Sequence, residues 1–498
     1  MRLKSAVFIG LTVLFVLSIL QSGWGEESIP NDHKEIINPI SYAAMQTILE
    51  TLAGHKHIEV SIAGNSVSGR SLYLVRLRHE SDQAQIPVFF FGQQHGNEPA
   101  GKDALIYLIR YMAENPALLS EDIDLWIMPM VNPDGAVNNQ RRNANDADLN
   151  RDHQLLAQPE TQILHKVFRK IMPLVSVDCH EFSRDSREYT SRGWTEWPQI
   201  MMDCSNNPLF NPSIYELGVR WCAEVEADLQ KAGYHYTRYF VGGAPPQEEQ
   251  RFSTPEVDDA RNGLGAYGGL SFIIESGFLS QAENVNADLA LRVDAYLILL
   301  KQLLRKASNN EELINLVERS RHEQIPDFIP TNYFWANAGN KESRVKVISR
   351  NTGEILSIPT TNFMPDLIVK GSVAAPRSYV IEAKNKDPFT ELLDRHAIDY
   401  EILPEDKEFN VQPGRLIRVE NFRDSLYNRY EGRQIVQAGP AQKRLFPVHS
   451  IYVALDQKAS RRAALLLEPR LLYGIYKYDA FRKLVDPDGT IPVWRIVD

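Results

Sequence analysis

His95 and Glu98 stand three residues apart in FFFGQQHGNEPAGKDALIYLIRYM, where an apolar Val/Phe run gives way to a helical pattern. At such a strand-to-helix corner, an i, i+3 pair can converge on one point. A neutral imidazole and a carboxylate are both good zinc ligands, at about 2.0–2.2 Å. Gly96 permits a tight turn there, and Pro99 suits the first turn of a helix. The spacing alone is unspecific, and a surface turn with a hydrogen-bonded histidine is the plain alternative. A catalytic zinc takes three protein ligands and keeps one position open. The third candidate is His180 in LVSVDCHEF, at the end of an apolar strand. Alternation along that strand sends Cys179 to the other face, into the core.

Two further stretches carry groups that chemistry at a metal would need. In VNPDGAVNNQRRNANDADLNRDH, Asn132–Gly135 reads as a turn. Arg141, Arg142, Asn143, Asn150 and Arg151 follow it, and two arginines plus amides suit a carboxylate or an oxyanion. A solvated loop is the alternative. Glu275, in YGGLSFIIESGF, follows a buried-strand pattern. A carboxylate beside zinc can take a proton from water whose pKa the metal lowers to about 7; a buried ion-pair partner is the competing reading.

These residues need a scaffold. Apolar runs predict strands over 72–77, 87–92, 125–130, 174–179 and 270–275, and amphipathic patterns predict helices over 100–112, 159–171, 212–232 and 286–306. The alternation argues for an α/β domain with a mostly parallel or mixed sheet, and the candidate residues fall at strand carboxyl ends, where such sheets bind ligands. Past residue 306 the texture changes to short strand-like segments with one helix, PFTELLDRHAI. Residues 330–498 read as a smaller β-rich (α+β) region of one or two small domains.

Net charge is −10, which argues against broad attraction to nucleic acid. Arg2 and Lys4 precede a short apolar run and the small residues Gly23 and Gly25, the pattern of a secretory signal peptide over 1–25. An exported protein, periplasmic or extracellular and without a membrane span after signal removal, is expected. The three cysteines, Cys179, Cys204 and Cys222, make no disulfide framework. Cys204 and Cys222 could pair in an oxidising compartment, and buried free thiols are the alternative.

Taken in order, HGNEPAG, NPDG, RRNANDADLNR, DCHE and IIES resemble the zinc carboxypeptidase family, the carboxypeptidase A-like metallopeptidases, over 36–304. The tail stretches LDQKASRRAALLLEP and LYNRYEGR resemble, more loosely, an accessory domain of some bacterial members. The resemblance implies a mixed-sheet catalytic domain over 26–325 with helices on both faces, one zinc per chain, and hydrolysis of C-terminal peptide bonds. It implies that His95, Glu98 and His180 hold the metal and that Glu275 is the general base. Arg141, rather than Arg142, would stabilise the oxyanion. Asn150 and Arg151 would grip the free C-terminal carboxylate of a peptide substrate, and Asp148 would orient His95. The family's loop tyrosine is left open between Tyr239 and Tyr267, and terminal side-chain selectivity among Asp258, Asp259 and Arg261. Alternative functions are a related zinc deacylase acting on N-acyl amino acids, a cell-wall peptide-trimming carboxypeptidase, and a non-catalytic binding module.

Overall fold

The computed structural model describes residues 32–35, 38–80, 85–280, 282, 284–420 and 432–497. The signal-peptide segment, and LYNRYEGR up to residue 431, lie outside the described residues. The first part of the chain supplies strands β1 (Ile58–Asn65), β2 (Ser71–Arg78), β3 (Ile86–Gly92), β4 (Ile123–Met128), β5 (Val175–Ser183), β6 (Trp194–Glu196), β7 (Ile200–Cys204), β8 (Tyr236–Arg238), β9 (Phe240–Gly242), β10 (Gln250–Phe252) and β11 (Leu270–Phe278). Eight of them form one mixed sheet in the order β1-β2-β4-β3-β5-β11-β7-β8. The central run β4-β3-β5-β11 is parallel.

Alternation along β3 shows how the sheet is sandwiched. Val88 and Phe90 point into a large core with helices Tyr42–Leu52, Pro99–Glu114, Pro212–Glu224 and Val285–Ala307. Phe89 and Phe91 point the other way, onto Leu164 and Phe168 of helix Pro159–Ile171 and Leu264 of helix Ala260–Gly265. The α/β class with helices on both faces is what the sequence predicts. No described helix is long and apolar enough to cross a membrane.

Two strands run further than their apolar patterns. β5 and β11 pair in register from Val175↔Leu270 to Ser183↔Phe278. Backbone pairing does not need apolar side chains, so the ladder continues past the polar residues. His180 and Glu275 therefore lie inside strands rather than at their ends, and they are direct register partners. The predicted helix over 212–232 is two pieces, Pro212–Glu224 and Glu226–Lys231. The three cysteines are buried free thiols, and Cys179 belongs to the core as alternation predicts.

Beyond Phe328 the chain forms a ribbon of Phe328–Ala336 with Asp366–Ala374 and a six-stranded sheet with helices Lys386–Arg395 and Ser460–Leu467 packed on it. It is stitched to the first part by strand pairing. Ser343–Ser349 pairs with β6, and Phe363–Met364 pairs with β10.

At the His95 corner, two turns press together with no room for side chains. A Cβ on Gly96 would lie 2.0 Å from the Gly135 carbonyl carbon and 2.2 Å from Ala136 N. The Asn132–Gly135 stretch is a capped helical turn: the Asn132 side chain accepts from Gly135 N and donates to Gln94 O. Asp134 receives Ser66 Oγ, Ser68 N and Arg70 Nη1, which ties this turn to the β1–β2 connection. Gly96→Ala is therefore expected to lower stability by about 1–3 kcal/mol, read as the midpoint of denaturant unfolding; an unchanged midpoint would refute this packing.

Candidate active site

β3, β5 and β11 lie side by side with their carboxyl ends at one rim of the sheet. The loop after β3 carries His95 and Glu98, β5 carries His180, and β11 carries Glu275. His95 Nδ1 lies 2.8 Å from Glu98 Oε1, His180 Nδ1 3.0 Å from Glu98 Oε2, and the two Nδ1 atoms are 3.1 Å apart. The far nitrogens are tethered to carboxylates: His95 Nε2 to Asp148 Oδ1 at 3.1 Å, and His180 Nε2 to Asp178 Oδ2 at 2.7 Å. Each imidazole thus sits between a carboxylate at its far nitrogen and Glu98 at its near one. That convergence of electron-rich atoms is stable only with protons or a cation between them.

The side chains themselves answer to this strain. All three are buried, at 3 %, 5 % and 1 % exposure for His95, Glu98 and His180, so water screens little of it. Burial pushes the Glu98 carboxyl up, but the His95 charge and hydrogen bonds from both imidazoles take it below the ordinary carboxylate value. Burial disfavours charge on His180, yet Asp178 raises it well above the usual histidine value. Two imidazole nitrogens and a carboxylate, clustered within 4.8 Å and held from behind by carboxylates, fit the donor set and outer support that a zinc ion takes.

Asp148 takes the place behind His95 that the resemblance implies. Asp178, behind His180, was missed, although its i, i+2 spacing on β5 puts it on the same face. Behind Asp178 runs a buried polar chain. Gln94 Nε2 donates to Asp178 Oδ2 at 2.7 Å, its Oε1 meets His153 Nε2 at 2.8 Å, and His153 Nδ1 meets His165 Nε2 at 3.0 Å. Burial holds His153 down at about 3 and His165 well below its usual value, so both are neutral. From sequence, His153 has no partner pattern and reads as ordinary; in the fold it braces the candidate metal ligands.

A cavity of about 360 Å³ opens on this cluster, lined among others by Arg141, Asn150, Arg151, Tyr239 and Glu275. Arg141 reaches Asp148 Oδ2 at 2.9 Å and Glu98 Oε1 at 3.4 Å. Arg142 is turned onto Asp146 O instead. Asn150 is buried, with its side-chain oxygen accepting from Ala260 N at 2.8 Å. Glu275 is pushed up to about 8, chiefly by burial and further by Glu98, against His180 and Arg141. Of the two tyrosines, Tyr239 hydrogen-bonds Glu275, whereas Tyr267 is buried on His165. No local spacing reveals Tyr239, because it comes from the β8–β9 link.

The charges considered for selectivity are engaged. Arg261 is buried between Asp259 at 2.9 Å and Asp203 at 3.5 Å, and Asp258 takes Lys477 Nζ at 3.2 Å.

The family model for zinc carboxypeptidase matches residues 45–163, a span that includes His95, Glu98, Arg141, Asp148, Asn150 and Arg151. His180 and Glu275 lie beyond the matched span and reach it through the sheet. Among similar proteins, Carboxypeptidase 2 of Trichophyton rubrum is 27% identical over 267 residues, 51% of this chain and 49% of that protein. Carboxypeptidase D of Drosophila melanogaster is 28% identical over 162 residues, 25% of this chain and 12% of that one. The chain spans about half the length of the Trichophyton relatives it matches. A solved metallo-carboxypeptidase from Pseudomonas aeruginosa is similar at 24% identity and a TM-score of 0.43, covering 55% of this chain and 70% of its own.

Asp178→Asn removes the negative charge behind His180 and is expected to weaken zinc binding about 10–100-fold, measured by competition with a chromophoric chelator. Wild-type affinity in this variant would show that Asp178 does not support the site.

Proposed function

We propose that the chain is an exported zinc metallocarboxypeptidase that hydrolyses the C-terminal peptide bond of peptides or proteins, with one zinc per chain. The observation that carries this reading is a His-Glu-His cluster, two members of which line one cavity together with a raised glutamate and an arginine–amide–arginine set. The N-terminal charge and apolar pattern supports export.

In this reading His95, Glu98 and His180 would hold the zinc, which would supply Lewis acidity and lower the pKa of a water to about 7. Asn150 and Arg151 take the substrate's terminal carboxylate and so place the last peptide bond at the cluster. Glu275, uncharged or charged near neutral pH because burial lifts it to about 8, suits both halves of a proton transfer. As a carboxylate it takes the proton of the attacking water, and as an acid it gives that proton to the departing amine. A cation in the cluster would draw its pKa down and favour the basic form. Tyr239 holds the glutamate's orientation from the opposite wall. Arg141 faces the carbonyl oxygen on which negative charge develops; its guanidinium is already aimed by Asp148.

Two variants test this division of labour. Glu275→Gln is expected to fold and bind zinc while losing nearly all turnover of a blocked dipeptide. Arg141→Ala is expected to raise the barrier by about 3–4 kcal/mol, seen mainly in kcat. Near-normal rates in Glu275→Gln would remove it as the base. Faster turnover of N-acyl amino acids than of blocked dipeptides, or no chelator-sensitive turnover at all, would overturn the peptidase reading.

A further inference from the structure

A buried lysine from the C-terminal region reaches into the wall of the candidate active site. Residues 253–262 form one side of the cavity, to which Ser253, Thr254 and Asp259 contribute. Lys477 Nζ donates to Glu256 Oε2 at 2.8 Å and Asp258 Oδ2 at 3.2 Å, and all three side chains are 3 % exposed or less. Burial works against the ammonium, but Asp258 and Glu256 raise its pKa well above the ordinary lysine value, so it stays charged. The same segment is gripped twice more by the tail. Trp335 Nε1 donates to Ser253 O at 3.1 Å, and the Tyr333 hydroxyl meets Asn207 Nδ2, which also donates to Pro255 O.

The segment in turn sets two residues of the site. Ala260 N donates to Asn150 Oδ1 at 2.8 Å, which sets the orientation of that amide and leaves its Nδ2 3.1 Å from His180 Nε2. His153 N donates to Asp258 O at 3.1 Å, and His153 braces Gln94 and Asp178. A carboxylate pair buried this deeply cannot keep its place without a counter-charge. We propose that Lys477 is a positioning residue for substrate binding: through Glu256 and Asp258 the C-terminal region holds the 253–262 wall, and with it Asn150, in the register that receives the substrate's terminal carboxylate. The inference rests on the carboxypeptidase reading. It makes the C-terminal region a working part of the site rather than a separate appendage.

Steady-state kinetics on blocked dipeptides, with hydrogen exchange of 253–262, tests it in the full chain. Lys477→Met is expected to raise KM by about tenfold or more while kcat stays within about threefold, to change the ranking among terminal residues, and to lose amide protection in 253–262. Lys477→Arg is expected to recover most of the KM. Should Lys477→Met fail to fold, Trp335→Phe removes the bond to Ser253 O and trims the ring contact with Phe252, and a smaller KM rise is expected. Normal wild-type turnover with unchanged KM and ranking in a folded Lys477→Met, or in Trp335→Phe if Lys477→Met does not fold, overturns this inference and leaves the proposed function standing. A wild-type enzyme inactive on every peptide overturns the function and the inference together. Unaltered exchange in 253–262 refutes the linkage whatever the kinetics.

Discussion

Two imidazole nitrogens and a carboxylate held about 3 Å from one another, away from water, form the constraint on which the rest of the fold is built. Such an arrangement is unfavourable by itself. It persists because each group is over-determined. His95 and Glu98 are locked by a corner whose Gly96 touches a second turn, and His180 is carried by a strand buried on both faces. Asp148 and Asp178 fix the rings from behind. A polar cluster held this firmly has lost the freedom to relax by moving apart, so it needs protons or a cation between its members. The sheet supplies the geometry: β3, β5 and β11 are adjacent and parallel, so the loop after β3 and the carboxyl-terminal halves of β5 and β11 bring four functional groups together.

From this constraint the roles of the surrounding layers follow. The NPDG turn presses on the His95 corner and is itself tied down through Asp134 to the β1–β2 connection. The neutral His153–His165 pair fills the space behind Asp178 with hydrogen bonds that add no charge to an already charged centre. Glu275 and Tyr239 face the cluster from the other side. The C-terminal strands complete β6 and β10 and clamp the 253–262 wall, so the cavity depends on chain segments more than two hundred residues apart.

Much of this was legible in the residues because the relevant signals are local. His95 and Glu98 share one turn. His180 and Glu275 each follow an apolar strand pattern, and the strand–helix alternation gives the α/β class. The strand lengths of β5 and β11 were underestimated because a hydrogen-bonded ladder can continue through polar residues, which an apolar pattern cannot show. Asp178 was readable in principle from its i, i+2 spacing to His180. Tyr239, His153 and Lys477 were not. Each meets its partner across a long sequence separation, from a loop or a segment with no periodicity of its own. The ambiguity among Asp258, Asp259 and Arg261 was likewise tertiary: both charge signs are present in the sequence, and only packing shows that Arg261 is held by Asp203 and Asp259 while Asp258 goes to Lys477.

The most direct test of the central claim is zinc K-edge X-ray absorption on the purified chain, paired with metal quantification. The account predicts one tightly held zinc whose first coordination sphere contains two imidazoles with nitrogen and oxygen donors at about 2.0–2.2 Å and no sulfur. A chain that takes up no stoichiometric zinc, or a spectrum in which imidazole scattering is missing or unaffected by replacing His180, would contradict it.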